Sequence, residues 1–327
     1  MKKLFAIFNS LVFLSLFLIA CSKKDNISSE NLSSFSNLYK KGGVVHNELL
    51  NVFLDSMIKN NSKLSQKIKS IALKYPALNK TKGNNVMKAM SITNSDQLAE
   101  LRDEINTIVA EEVLPISISY LEQNGFFNDF YSAGINNPQL LINQVVEGIY
   151  NNAAFSNTEY VNEVISTNSI SFQNFVPALK SLIENEWSSG DLFSKIDALK
   201  NLYISQTTDE IEALAIINGC ETAKASFTYW NDSVNTTNWD ATILYSFNSG
   251  SIYNASLSNT AIDRNRTDII VSDAIGAVVG VIEGARIGAL AGPGGAMIVG
   301  MTGMILRGAQ SSLGDYARNK ILDWLGW

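Results

Sequence analysis

The sequence predicts an all-α protein, a helical domain followed by a C-terminal glycine-rich αα-hairpin. Three observations carry that prediction. Apolar residues recur at three- and four-residue steps through most of residues 44–229, as the buried face of an amphipathic helix requires. Only five prolines stand in 327 residues and alternating β-branched runs are scarce, which argues against a sheet. Five glycines then fall at four-residue intervals from Gly276 to Gly292. The length allows one large domain or two modest ones with a real core.

The chain opens on Met1-Lys2-Lys3, a short basic segment, followed by the apolar stretch Leu4 to Leu18. That stretch is too short and too early for an ordinary membrane span and reads as a secretion signal over residues 1–20. It closes on Leu18-Ile19-Ala20-Cys21. A Leu three residues before a Cys, with a small residue directly before it, closely resembles the lipobox of bacterial lipoproteins. The resemblance implies that Cys21 becomes the new N-terminus, carries the lipid and holds the chain at a membrane. Ser22 is not the Asp that the family associates with inner-membrane retention, so the outer membrane is the expected destination. Lys23-Lys24-Asp25 is weakly similar to the export tags of surface-exposed lipoproteins.

Residues 21–43 are rich in Ser, Asn and Lys and end at Gly42-Gly43, the composition of a flexible tether. From Val44 the pattern turns helical, with Leu49, Leu50, Phe53, Leu54, Met57 and Ile58 on one face of a helix over about 44–60. Further helices are expected at Ser62–Tyr75, Ser95–Gln123, Pro138–Asn152, Thr158–Thr167, Ser171–Trp187, Gly190–Gln206 and Thr208–Tyr229. Several have start signals, among them Asn137-Pro138 and Thr207-Thr208-Asp209-Glu210. These make up a domain over 44–229. Residues 230–268, dense in Asn, Ser and Thr, read as an irregular connector, with Ala241–Ser246 as one short candidate strand.

In residues 269–310, Gly276, Gly280, Gly284, Gly288 and Gly292 form a single ridge beside the small row Ala277, Val281, Ala285 and Ala289. Five interior glycines cost about 4–5 kcal/mol of helix propensity relative to alanine. Close helix contact offsets such a cost, in the manner of small-xxx-small packing between membrane helices. Gly292-Pro293-Gly294-Gly295 is a strong turn signal, and a second apolar segment runs from Ala296 to Leu306. Glu283 and Arg286, three residues apart, are expected to pair on one side of the first helix. Residues 311–327 form an amphipathic aromatic tail in which Trp324 and Trp327 are candidate interfacial anchors. The segment resembles the glycine-zipper two-helix regions of envelope lipoproteins and, in Gly292-Pro293-Gly294-Gly295-Ala296, the Gly-rich helices of bacteriocin-like peptides. The likeness covers about residues 270–310 and implies membrane insertion or self-association through the ridge; a Gly/Ala-rich hairpin buried in a soluble fold is the competing expectation.

Composition narrows the chemistry. Lys+Arg 25 against Asp+Glu 31 gives a net charge of −6, which argues against nucleic acid as a partner. Two cysteines build neither a disulfide framework nor a cysteine-rich zinc site. In an oxidising compartment Cys220 is expected to be a buried small side chain. His46 is the only histidine, is expected at a surface or helix-start position, and has no nucleophile near it in the sequence. The acid pairs Asp103-Glu104 and Glu111-Glu112 lie on the polar side of their helix. No motif for a phosphate, a metal or an activated serine is present, so neither cofactor nor catalytic residue is expected. Three functions follow: a non-enzymatic envelope lipoprotein whose hairpin inserts or self-associates, a helical binding module for a ligand or partner, and a bacteriocin-like antagonist.

Overall fold

Helix α1, Gly42–Lys59, starts two residues earlier than its apolar pattern, because its two glycines let it cross its neighbours at close range. A β-carbon on Gly43 would stand 2.7 Å from the Glu221 carbonyl oxygen, and one on Gly42 would stand 3.1 Å from Met304 Sδ. These two residues, expected at the end of the tether, therefore belong to the packed helix. The computed structural model describes residues 42–59, 95–151, 158–244 and 259–325, with 66, 67 and 70 between the first two spans. The signal, Cys21, the tether up to residue 41, most of the expected helix Ser62–Tyr75, and residues 245–258 lie outside the described residues.

The elements that follow are all helical: α2 Ser95–Gln123, α3 Phe126–Ser132, α4 Pro138–Asn151, α5 Thr158–Ser166, α6 Ile170–Glu186, α7 Leu192–Ile204 and α8 Glu210–Asn231. Next come α9 Ser233–Leu244, α10 Asn259–Gly288, one 3-10 turn Ala289–Ala291, and α11 Gly292–Leu325. None of the described residues lies in a strand. Local chemistry explains several starts. Asp209 caps α8 by accepting from the amides of Ile211 and Glu212 at 2.8 and 2.9 Å. Ser169 caps α6 by accepting from Phe172 N, and Glu212 in turn accepts from the Ser169 amide and hydroxyl at 2.6 Å each. That exchange fixes the start of α6 to the first turn of α8.

Three expectations are overturned. The connector 230–268 is helical from Ser233 to Leu244 and again from Asn259, so Ala241–Leu244 is helix and not strand. Tertiary burial outweighs weak local propensity there: Trp239 is fully enclosed and donates to the Tyr229 hydroxyl at 3.0 Å. The second glycine-rich helix does not end with the expected hairpin at residue 310 but continues to Leu325, taking in most of the expected tail. Tyr316 on that extension is buried and stacks on Trp230, with ring centroids 4.8 Å apart and 20° between planes.

Helices α10 and α11 run antiparallel at the centre. α8 packs along α10, α2 along α11, and α1 against both α8 and α11. The glycine ridge is the surface on which the central pair meets. A β-carbon on Gly280 would collide with the Gly303 carbonyl, one on Gly284 with the Val299 carbonyl, and one on Gly288 with the Gly295 carbonyl. Gly303 is held to the same limit by the Gly280 carbonyl. The obstructing atoms are backbone, which cannot swing aside. Gly292 departs from the ridge: with φ 86° it makes the turn, a conformation that side chains with a β-carbon rarely adopt.

Alanine at Gly284 is therefore expected to destabilise the protein by about 1–3 kcal/mol from overpacking, even though it improves helix propensity by about 1 kcal/mol. Alanine at Gly148 in α4, where a β-carbon meets nothing within 4 Å, is expected to stabilise it by about 0.5–1 kcal/mol. Urea unfolding of the two variants checks both signs.

Candidate functional site

The structure places the sequence-derived site residues in two groups. Gly276, Gly280, Gly284 and Gly288 are buried in the seam of the helix pair. Cys21 and Trp327 lie outside the described residues, as does the side chain of Trp324. Glu283 and Arg286 do not form the expected ion pair. Glu283 reaches across to α11, where its Oε2 lies 3.5 Å from Arg307 Nε. Arg286 points the other way and donates to the Val164 carbonyl at 2.9 Å and to the Thr167 hydroxyl, holding the end of α5. The i, i+3 spacing permitted the pair, but a buried guanidinium on the neighbouring helix competes for the same carboxylate. Arg307 is fully enclosed, with its charge 5.4 Å from the centre of the Tyr160 ring. Burial raises the Glu283 carboxyl and lowers the Arg307 guanidinium from their ordinary values, with the opposite charge of the partner resisting both shifts.

A second polar centre joins four helices. Asp273 of α10 has no solvent exposure, and its Oδ2 accepts from Ser226 of α8 at 2.5 Å, Ser312 of α11 at 3.1 Å and Trp230 of α8 at 3.3 Å. His46 of α1 brings Nε2 to 3.4 Å of the same oxygen. His46 thus stands near the start of α1, one of the two positions expected for it, but as a core residue and not on the surface. Serine, histidine and aspartate meet here, but both hydroxyls donate to the carboxyl and neither to the imidazole. Every member is shut from solvent. The arrangement is built to tie α1, α8, α10 and α11 together rather than to activate an oxygen nucleophile. Burial drives both ionisable groups toward their neutral forms, raising Asp273 well above the ordinary carboxyl value and lowering His46 to about 4.

The open site lies elsewhere. A cleft of about 420 Å³ separates α5 and α6 from the outer side of the α10–α11 pair. Val161, Ile165, Val176, Pro177, Val271 and Ile275 form its apolar walls. Charges stand around it in two ion pairs, Lys180 with Glu184 at 3.7 Å and Arg318 with Asp315 at 3.0 Å, together with Asp268. Ser272 donates to Asp315 and so fixes the carboxylate on that side. Asn162 and Gln173 add uncharged polar groups, so the lining mixes apolar and polar surface in a cleft of the volume that small-molecule sites have.

No protein-family model, curated protein or solved structure matches the chain. Among the described residues, no group of three or more His, Cys, Asp or Glu side chains is placed to hold a metal ion. Cys220 is buried on α8, where burial pushes its thiol up to about 12, far from a reactive thiolate. Glu111 and Glu112 lie 3.0 and 2.8 Å from Lys67, an exposed clamp between α2 and the segment before it.

The sequence reading did not find Asp273, Arg307 or the cleft. Asp273 stands between Ile269-Ile270-Val271 and Ala274-Ile275, and nothing in its neighbourhood marks it as the acceptor of residues 226 and 312. Arg307 does carry a signal: it is the charge that ends an uncharged run from Ile287 to Leu306.

The His46 shift makes stability depend on pH. The unfolded chain takes a proton at about 6.5, whereas the folded chain does not until about pH 4, so acid favours unfolding across that window. Asp273 acts with the opposite sign, because the folded state keeps its proton above the pH at which the unfolded carboxyl loses it. The stability advantage of the native protein over His46→Gln is expected to shrink between pH 6.5 and 4 by up to about 1.4 kcal/mol per pH unit. Urea midpoints at successive pH values measure this; an advantage independent of pH would mean that folding leaves the His46 affinity unchanged.

Proposed function

We propose that the protein is a non-enzymatic envelope lipoprotein, acylated at Cys21 and held at the outer membrane, whose helical domain is a binding module. The observation that carries this reading is the cleft beside the central helix pair. Its apolar walls and paired charges suit a small amphipathic molecule with an apolar body and a charged or strongly polar end. The glycine seam supports the same reading. Its helix faces are filled by Gly295, Val299, Gly303 and the Arg307 carbonyl of the same chain, so self-association through the ridge would require that seam to open. With the ridge occupied, the acyl chain on Cys21 supplies the attachment to the bilayer, and the domain beyond it is free to hold a ligand.

A second reading rests on one observation. Among the described residues, Arg266–Lys320 contains a window long and apolar enough to cross a membrane, although most of it is buried inside the fold. In that reading the helix pair leaves its surrounding helices and inserts.

Fractionation separates the two. With residues 1–21 replaced by a cleavable secretion signal that adds no lipid, the product is expected to be released from membranes by alkaline carbonate; retention would favour insertion. The ligand is tested on the native protein extracted in mild detergent and weighed by native mass spectrometry. A bound small molecule beyond the acyl chains is expected, and it should be lost in Val176→Trp, whose indole fills the cleft. Native protein that carries nothing would count against the binding module.

A further inference from the structure

The turn that joins α10 to α11 protrudes with its apolar residues uncovered. Leu290 is 66% exposed, and Ala289, Ala291 and Pro293 beside it are exposed as well. Two other segments bring large apolar side chains to the same end. The corner after α3 reaches the turn where the Ala133 side chain comes within 3.6 Å of a β-carbon position on Gly294, and Tyr131 next to it is 55% exposed. The corner between α5 and α6 is drawn in by Arg286, one helical turn before Leu290, through Val164 and Thr167. Ile170, three residues beyond Thr167, is 76% exposed. Single exposed apolar side chains are ordinary, but here Leu290 heads an exposed, uncharged turn, and Tyr131 and Ile170 stand on two segments tied to the same end of the helix pair. The chain carries no charge from Ile287 to Leu306, so burying the turn in an apolar phase takes no charge of its own with it.

We infer that this end of the molecule rests on the lipid bilayer, with Leu290 and Pro293 entering the interface and Tyr131 and Ile170 beside them. The choice of lipid over a second copy comes from the path of the chain. Gly42, where the described fold begins, packs against Met304, and ten residues of α11 separate Met304 from Gly294, a rise of about 15 Å. The covalent chain from Cys21 to Gly42 can span up to about 70 Å. The bilayer that holds the acyl chain is therefore within reach of the turn through the same covalent chain, whereas a second copy has to arrive by diffusion. The inference rests on the reading of Cys21 as the acylated residue and is independent of what the cleft binds. The patch contains no basic cluster, so its contact does not depend on anionic lipid. A bilayer touching the turn would orient the long α10–α11 pair against the membrane and present the cleft to the aqueous side.

The test uses the full acylated protein in phosphatidylcholine vesicles, its acyl mass first verified by mass spectrometry. An environment-sensitive dye is placed on Leu290→Cys, and on Val234→Cys as control. Val234 is 63% exposed on α9, whose Thr236 carbonyl accepts from Tyr316, at the far end of α11. Cys220 is buried and does not compete for the dye. The dye at 290 is expected to shift to the blue and to be quenched by a lipid-borne nitroxide, while the dye at 234 does neither. Equal response at the two positions, or no quenching at either, overturns the inference. A blue shift at 290 that persists in detergent micelle-free protein without vesicles and tracks protein concentration would assign the patch to a second copy. Loss of the acyl mass would instead identify a failure of the anchor reading.

Discussion

Everything in the described fold depends on two helices that touch backbone to backbone. From Gly276 to Gly288 the line along which α10 meets α11 is a row of glycines with the small Ala285 beside it, and Gly295, Gly300 and Gly303 answer on the other side. The four interior glycines of α10 give up about 3–4 kcal/mol of helix propensity relative to alanine. What offsets that loss is not in the seam alone. Beyond the seam Val278, Val279, Val281 and Ile282 are all buried, Val278 against Gly219 of α8. The seam thereby converts two helices into one apolar rod with a continuous outer surface, and the other helices fold onto that rod. α8 repeats the device at smaller scale: Gly219 lets it approach so closely that a β-carbon there would stand 2.5 Å from Val278 Cγ2.

An apolar rod with small side chains offers little to fix the angular position of the helices around it. The buried polar groups supply that register. Asp273 draws donors from α8 and α11 and faces His46 of α1, while Arg307 meets Glu283 across the seam and places a guanidinium nitrogen 3.4 Å from the Ile149 carbonyl of α4. Each such group stabilises only when its partners are in place, since removing one partner of a buried pair costs about 3–5 kcal/mol. A rotation of α8 or α1 about the rod would break these contacts while leaving apolar burial almost unchanged. The energetic role of the network is therefore to select one arrangement among several of similar apolar area.

The same division explains which features were legible in the sequence. Helices with a regular apolar face were readable because periodicity is local: Ser95–Gln123 is observed over the expected residues, and Pro138, Thr158 and Asp209 mark real starts. The glycine row was legible as a packing surface for the same reason. Its partner was legible as the apolar segment Ala296 to Leu306 of a hairpin, but not in full length, because the helix is continued to Leu325 by Arg307, Ser312 and Tyr316, polar or aromatic residues whose burial depends on distant segments. Trp230 and Trp239 sat in what composition described as a connector, yet they pack on Tyr316, more than seventy residues away. His46 and Asp273 are farther apart still. No pattern within one segment announces such a contact, and the cleft, made from four helices, has no segment of its own at all.

The buried charges also bear on how the protein meets a membrane. A helix pair that inserted as a unit would carry the polar Asp273 and the ionisable Glu283, Arg286 and Arg307 with it, and a charge at mid-bilayer costs about 2.5–3.5 kcal/mol on insertion scales. Glu283 and Arg307 travel together and relieve one another. Asp273 leaves Ser226, Trp230 and His46 behind on other helices, keeping only Ser312, and Arg286 leaves Val164 and Thr167. Insertion would thus strip the partners from the very groups that hold the surrounding helices in register, in a phase that offers them no replacement. Contact through the uncharged turn disturbs none of these groups. The distribution of charge along α10 and α11, dense where helices are gathered and absent around the turn, fits a rod that stays sheathed and touches lipid only at its tip.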